Sequence, residues 1–240
     1  MKQRHSRTWS SFRALVVAAV GFVMVRPPCA AAQRPSPADD AAARRVLLAY
    51  LATNDRQLIG GEHRTFDPAW VGISWARSRV VPGLAFWWGA YSPPRTYDVF
   101  VDVAVARVGD STRVVETVED WAALARLAHW RPAGPRTVLS GCAEAVSVAG
   151  PRAWHAFAPY LYLGPASVRR EQIFRYADQS WRRRMQRPVT RSLGPEAWEA
   201  TFWMIEPRQS TRYRCKVVHG ALHVTQTDSL PGLGQDTPGP

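Results

Sequence analysis

The chain has 240 residues, of which 46% are apolar and 21% are charged. This apolar content is enough to build a packed core, so the composition excludes a globally disordered protein. The 31 basic residues outnumber the 19 acidic ones and are nearly all arginine, a preference that the codon composition of the source could also produce.

The first 32 residues have the pattern of a cleaved secretory signal. Four basic residues precede an uninterrupted apolar run of 12 residues at 14–25, and two prolines follow it. Small residues at 30–32 then offer a cleavage site. Because a spanning helix needs about 20 apolar residues, the run favours a signal peptide over an uncleaved anchor, and Cys29 is not placed as a lipid-attachment site. We expect export to the periplasm or the extracellular space after cleavage near Ala32.

The mature part is expected to be one soluble domain at 33–229, followed by a disordered tail at 230–240. Five of the 31 basic residues lie in the leader, which leaves 26 against 19 acidic residues, a net charge of +7. No later stretch is long and apolar enough to span a membrane. The two remaining cysteines, Cys142 and Cys215, predict one disulfide in an oxidising compartment, and the alternative is a reactive thiol at one of them.

The first predicted element is a helix at 37–53, which Ser36 caps and the pair Asn54-Asp55 ends. Its expected apolar face recurs at helical spacing and consists of Ala42, Val46, Ala49, Tyr50 and Thr53, widened by Leu47 and Leu51. The aromatic segment that follows should contain short strands near 70–76 and 84–90. We interpret its large rings as core residues rather than as a sugar-binding groove.

The clearest strand signal is at 97–107, where valines alternate with other side chains. A turn at 109–111 returns the chain as 112–116, which predicts a hairpin. A helix at 118–128 follows, and the residues at its start, 117–120, resemble a capping box. Its expected buried stripe consists of Trp121, Leu124 and Leu127 or Ala128. A third helix at 138–149 carries Cys142.

The C-terminal part predicts three antiparallel strands, at 198–205, 211–218 and 221–228. His219-Gly220 forms the tight turn between the last two. In that register the buried face consists of Cys215, Val217, Leu222 and Val224, and His223 points away from it beside Lys216. Residues 167–185 favour a helix, with a strand at 172–176 as the alternative.

Together these elements predict an α+β fold with a curved antiparallel sheet formed by 97–116 and 198–228. The three helices would cover one face of that sheet, and the tryptophan-rich segment would line a cavity on the other. A cystatin-like or NTF2-like cone has comparable elements, an analogy that concerns the fold and carries no function.

Motifs for catalysis or metal binding are weak. His219 and His223 have the spacing of helical metal ligands, but the hairpin separates them. Glu62 and His63 could act as acid and base, with Asp67 nearby, or lie on a surface loop. We expect no metal or cofactor and a non-catalytic protein. A hydrolase using Cys142 or the Glu62/His63 pair is the alternative, and a structural envelope protein is the third possibility.

The strongest functional feature is a strip of eight arginines and two acidic residues at 169–191. Its candidate ligand-binding residues are Arg169, Arg170, Arg175, Tyr176, Trp181, Arg182, Arg183, Arg184 and Arg187. Arginine forks bind phosphate and carboxylate groups, so the expected partner is an anionic envelope polymer or a lipid headgroup. Export makes nucleic acid an unlikely partner. The alternative is that the arginine strip has no binding role and is simply a solvated helix face.

Overall fold

The computed structural model describes residues 34–59, 66–91, 101–149, 152–153, 160–164, 184–205 and 209–231. The helices are α1 (Pro37–Ile59), α2 (Val118–Leu127) and α3 (Pro135–Val148), with a 3-10 turn at Pro68–Trp70. The strands are β1 (Val71–Arg77), β2 (Ala85–Tyr91), β3 (Val101–Val108), β4 (Ser111–Val114), β5 (Arg152–Ala153), β6 (Tyr160–Leu161), β7 (Val189–Gly194), β8 (Ala197–Ile205), β9 (Gln209–Val218) and β10 (Ala221–Pro231).

Within these residues the strands form two antiparallel sheets of five strands each. The first sheet has the order β1-β2-β3-β4, and β5 also pairs with β3. The second has the order β10-β9-β8-β6, and β7 also pairs with β8. The α+β class is therefore confirmed. The strands expected to share one sheet are instead divided, because β3 pairs with the aromatic strand β2 rather than with the C-terminal strands.

Helix α1 packs on one face of the first sheet. Its buried stripe is Ala43, Leu47 and Leu51, which form a core with Trp87, Tyr91, Val103 and Val105 of the sheet. The apolar face predicted from the sequence is rotated from this stripe, since Ala49 and Thr53 are exposed. Ser36 caps the helix, as predicted, by accepting a hydrogen bond from the Asp39 amide at 3.1 Å.

Helix α1 does not end at Asn54 but continues to Ile59. The side chain of Asn54 donates a hydrogen bond to the Tyr50 carbonyl at 2.8 Å, so it bonds back along the helix instead of forming a turn. This local bond accommodates a residue type that usually marks a helix end.

Helices α2 and α3 pack between the two sheets. One core joins them to both sheets, through Phe86, Ala104 and Ala106 of the first and Ala200, Phe202 and Met204 of the second. The layers therefore follow the order α1, first sheet, α2 with α3, second sheet. The first sheet has helices on both faces, whereas the sequence predicted helices on one face. Among the described helices, none is long and apolar enough to cross a membrane.

The ends of α2 and α3 agree with the sequence in part. The capping box of α2 is present, with Thr117 and Asp120 bonding to each other's backbone amide. Of the two alternatives for the end of the buried stripe, Leu127 is 54% exposed, whereas Ala128 is partly buried and packs against the core. Ala125 is buried as well. Helix α3 begins three residues earlier than predicted, at Pro135, because proline is favoured in the first turn of a helix.

The hairpin of β9 and β10 has the predicted register, with Val218 opposite Ala221 and Cys215 opposite Val224. His219 and Gly220 both have positive φ, at 50° and 78°, as a tight primed turn requires. Strand β10 continues to Pro231, so residues 230 and 231 belong to the sheet and not to a tail. Residues 232–240 and most of 167–185 lie outside the described residues.

Candidate functional site

The second sheet has an outer face that α2 and α3 do not cover. Strand residues alternate between two faces, so the residues of β9 that flank Cys215 and Val217 point away from the core. On this outer face Cα neighbours across β8 and β9 pair acidic, polar and aromatic residues with basic ones: Glu199 with Lys216, Thr201 with Arg214, and Trp203 with Arg212.

Six basic residues lie on or beside this outer face, and we call them the cationic face: Arg184, Arg187, Arg191, Arg212, Arg214 and Lys216. Two acidic residues accompany them. Arg191 Nη2 lies 2.7 Å from Glu199 Oε1, and Arg184 Nη2 lies 3.8 Å from Asp228 Oδ1. The face therefore keeps a positive excess after both pairs are counted, and unpaired arginines that share one surface attract anions.

A pocket of about 280 Å³ opens on the cationic face. Arg187, Arg191, Arg212 and Arg214 contribute to its lining, together with Gln186, Val189, Glu199, Thr201, Phe202 and Trp203. Within the part of the chain that the structure describes, Arg187, Arg212 and Arg214 form no ion pair. Glu199 is the acidic residue of the lining, and Arg191 already engages it.

Trp203 lines the same pocket and is only 1% exposed. Its Nε1 is buried, and no group among the described residues accepts a hydrogen bond from it. An indole N–H can only donate, and a buried donor without an acceptor costs about 1–3 kcal/mol. Trp203 therefore brings an unsatisfied donor to the lining of the pocket, where a ligand with hydrogen-bond acceptors would be favoured.

Arg187 is positioned by Gly164. A Cβ atom at residue 164 would lie 3.1 Å from Arg187 Nε, closer than side chains normally approach one another. Gly164 also has a φ of +132°, which other residues rarely adopt. The glycine thus allows the Arg187 side chain to pass close to the backbone before it reaches the pocket.

The arginine strip of the sequence is represented in this face by its C-terminal part. Of the predicted binding residues, Arg184 and Arg187 are described, and Arg191 of the same strip is described as well. The remaining predicted binding residues lie outside the described residues: Arg169, Arg170, Arg175, Tyr176, Trp181, Arg182 and Arg183. Sequence reasoning missed Arg212 and Arg214. Their signal was present, since both alternate with the predicted buried residues Cys215 and Val217 in the strand at 211–218.

Cys142 and Cys215 form a disulfide with an S–S distance of 2.08 Å. Both residues are completely buried, and the bond joins α3 to β9. A disulfide sulfur is not a thiolate, so Cys142 in this state lacks the nucleophile that the hydrolase alternative needs. The Glu62/His63 pair lies outside the described residues, and Asp67 accepts a hydrogen bond from the Ala69 amide at 2.8 Å, which caps the 3-10 turn.

The two C-terminal histidines are placed apart. His219 sits at the hairpin turn, with its Nδ1 at 3.4 Å from Glu196 Oε2. His223 lies opposite Lys216. In the described ranges no cluster of three or more His, Cys, Asp or Glu side chains could hold a metal ion.

No known protein family, curated protein or solved structure matches this chain. The function is therefore inferred from the cationic face and its pocket.

Proposed function

We propose that this is a non-catalytic binding protein that is exported after cleavage near Ala32 and holds an anionic envelope component on its cationic face. The observation that carries the proposal is the convergence of Arg187, Arg212 and Arg214 on one pocket without acidic partners in the described residues. Elsewhere on the surface Arg131 lies 2.7 Å from Glu196, whereas the three arginines of the pocket have no acidic partner among the described residues.

Sheet geometry supports binding by these arginines. Arg212 and Arg214 lie two residues apart on β9, which pairs with β8 on one side and β10 on the other. The backbone that carries them is thereby fixed before a ligand arrives, which lowers the entropy cost of binding. Arginine forks then match the oxygens of phosphate, sulfate or carboxylate groups.

Export is supported by the leader pattern and by the disulfide. Buried disulfides are typical of oxidising compartments and rare in the cytosol. The partner is therefore sought among anionic polymers and lipid headgroups of the envelope rather than among nucleic acids.

The proposal is tested by measuring the binding of the mature protein to a polyanion, such as polyphosphate, with titration calorimetry. The variant Arg212→Gln/Arg214→Gln removes two charges from the cationic face. Its matched control, Arg126→Gln/Arg136→Gln, removes two charges from exposed positions on α2 and α3. We expect at least a roughly tenfold loss of affinity in the first variant, because hydrogen bonds to charged groups contribute about 1.5–3 kcal/mol each.

Salt dependence provides a second readout. Affinity of the wild type should fall steeply between about 50 mM and about 500 mM salt, because the Debye length shortens and screens the exposed arginines. Equal affinity of the two double variants, or binding unchanged by salt, would contradict the proposal. A purely structural envelope protein would show no saturable binding at all.

A further inference from the structure

We propose that the pocket beside Trp203 binds the terminal phosphate of a phosphomonoester. This inference rests on the proposed function, since it assigns a ligand class to one part of the cationic face. It adds that the pocket distinguishes a doubly charged phosphate from singly charged anions.

Charge balance is the first argument. The Arg191–Glu199 pair at 2.7 Å offsets its own charges, which leaves the three positive charges of Arg187, Arg212 and Arg214 around the pocket. A carboxylate or a phosphodiester brings one negative charge. A phosphomonoester brings about −1.5 to −2 at neutral pH, together with three strong acceptor oxygens, and so matches three guanidinium groups better.

The donor set is the second argument. Guanidinium groups donate in a fixed fork that fits two oxygens of one phosphate. Trp203 also lines the pocket, and its buried Nε1 is a neutral donor that lacks an acceptor among the described residues. The guanidinium groups and the indole N–H only donate, so a ligand atom that bonds to them must be an acceptor. The lining also holds the acceptors Glu199, Gln186 and Thr201, and Arg191 already engages Glu199.

Pocket size is the third argument. A volume of about 280 Å³ lies just below the range of roughly 300–1,000 Å³ that is typical of small-molecule sites. It admits a phosphate group and its first substituent, while the remainder of the ligand would lie on the open cationic face. The phosphate could thus belong to a soluble sugar or glycerol phosphate or to a lipid headgroup.

The test compares three small anions by titration of the mature protein, with tryptophan fluorescence as the readout. Methyl phosphate supplies the monoester, dimethyl phosphate the diester and acetate the carboxylate. We expect methyl phosphate to bind at least about tenfold more tightly than either singly charged anion. Equal affinities for the three anions, or no binding of methyl phosphate, would overturn the inference.

Two variants separate the pocket from the rest of the face. Glu199→Gln removes the acidic residue of the lining and releases Arg191, so methyl phosphate should bind several-fold more tightly. Trp203→Phe removes the indole donor, and methyl phosphate affinity should fall roughly tenfold while polyphosphate affinity changes little. Weaker methyl phosphate binding in Glu199→Gln would contradict the inference even if Trp203→Phe did not fold.

Two vesicle preparations identify the source of the phosphate. Phosphatidylcholine vesicles containing phosphatidic acid present a lipid monoester, and those containing phosphatidylglycerol present a diester at matched surface charge. Preference for the phosphatidic acid vesicles supports a lipid headgroup, whereas binding of glycerol phosphate without vesicle binding supports a soluble ligand. Polyphosphate binding that is lost in Arg212→Gln/Arg214→Gln, without any methyl phosphate binding, overturns this inference and leaves the proposed function intact.

Discussion

Cys142 on α3 and Cys215 on β9 are covalently joined, with their sulfur atoms 2.08 Å apart in the core between the helices and the second sheet. The bond links residues that are 73 positions apart in the chain. It therefore ties the helical layer to the sheet that carries the cationic face.

Removing this bond should destabilise the protein. A disulfide that closes a loop of this length restricts the unfolded chain and contributes about 2–4 kcal/mol. We expect Cys142→Ala/Cys215→Ala to lower the free energy of unfolding by that amount in urea, monitored by tryptophan fluorescence. The reduced wild type serves as the control. Unchanged stability in the double variant would contradict the prediction.

Replacing Gly141 by alanine should destabilise the protein, although the residue lies inside α3. Alanine normally stabilises a helix interior by about 1 kcal/mol relative to glycine. Here a Cβ atom would lie 2.6 Å from Trp130 Cζ2, and that ring is fixed edge-on against Trp121 at a centroid distance of 5.3 Å. We expect Gly141→Ala to cost about 1–3 kcal/mol through overpacking.

Thermal unfolding measures this effect, and Ser140→Ala is the matched control. Residue 140 is exposed on the same helix, so its substitution should leave the midpoint unchanged or raise it slightly. A raised midpoint in Gly141→Ala would show that the Trp130 ring moves aside freely.

Asp40 should contribute stability that is lost in acid. Burial raises the pKa of Asp40, but hydrogen bonds from Trp87 and Arg44 more than offset this effect and hold the pKa below the ordinary value of 3.8. A carboxyl group with a lowered folded pKa stabilises the protein above its unfolded pKa, and this contribution disappears as the pH falls through the folded pKa. The advantage of wild type over Asp40→Asn should therefore shrink as the pH is lowered from about 6 to about 3.

Urea unfolding at several pH values measures this difference. Asp110→Asn is a suitable control, because the carboxylate of Asp110 is fully accessible to solvent. A difference between wild type and Asp40→Asn that stays constant with pH would contradict the prediction.

Tyr50 should contribute stability that is lost at alkaline pH, which is the opposite pH dependence to that of Asp40. Its hydroxyl donates a hydrogen bond to Glu116 Oε1 at 2.9 Å. Burial, reinforced by Glu116, raises the pKa of Tyr50 from 10.0 to about 12. Because the folded pKa lies above the unfolded one, the contribution is complete below about 10 and is lost as the pH rises towards about 12.

The variant Tyr50→Phe has no phenol to ionise, so it should not lose this contribution to stability. Its stability relative to wild type should therefore improve as the pH rises from about 10 to about 12. Glu116→Gln keeps an acceptor but removes the charge, and it should show a smaller alkaline loss than wild type. Chemical denaturation followed by tryptophan fluorescence provides the readout. Parallel pH profiles of wild type and Tyr50→Phe would refute the assignment.

Local signals made the C-terminal hairpin predictable. The turn at His219-Gly220 fixes the register, and the alternation around Cys215 and Val217 fixes the buried face, so both could be read within about 15 residues. The same alternation would have placed Arg212 and Arg214 on the outer face. Neither arginine belongs to the linear run at 169–191, so charge clustering along the sequence does not reveal them, whereas the two-residue spacing within the strand does.

Long-range pairing was not predictable in the same way. The pairing of β5 with β3 and of β6 with β8 joins segments that are far apart in the chain, and neither strand of these pairs carries a local code for its partner. Strand β7 was not predicted, because most of its side chains are exposed and its sequence therefore lacks a clear alternation of apolar and polar residues. The class of fold follows from the elements, whereas the division into two sheets follows from contacts between them.

The order of the layers has a consequence for the newly made chain. The strands of the first sheet end at residue 153, and those of the second sheet begin at residue 160. When the polypeptide emerges N-terminus first, α1, the first sheet and the two middle helices can assemble while the C-terminal third is still absent. Until that third is made, the apolar residues of α2 and α3 that pack on the second sheet remain uncovered, and Cys142 lacks the cysteine with which it forms the disulfide.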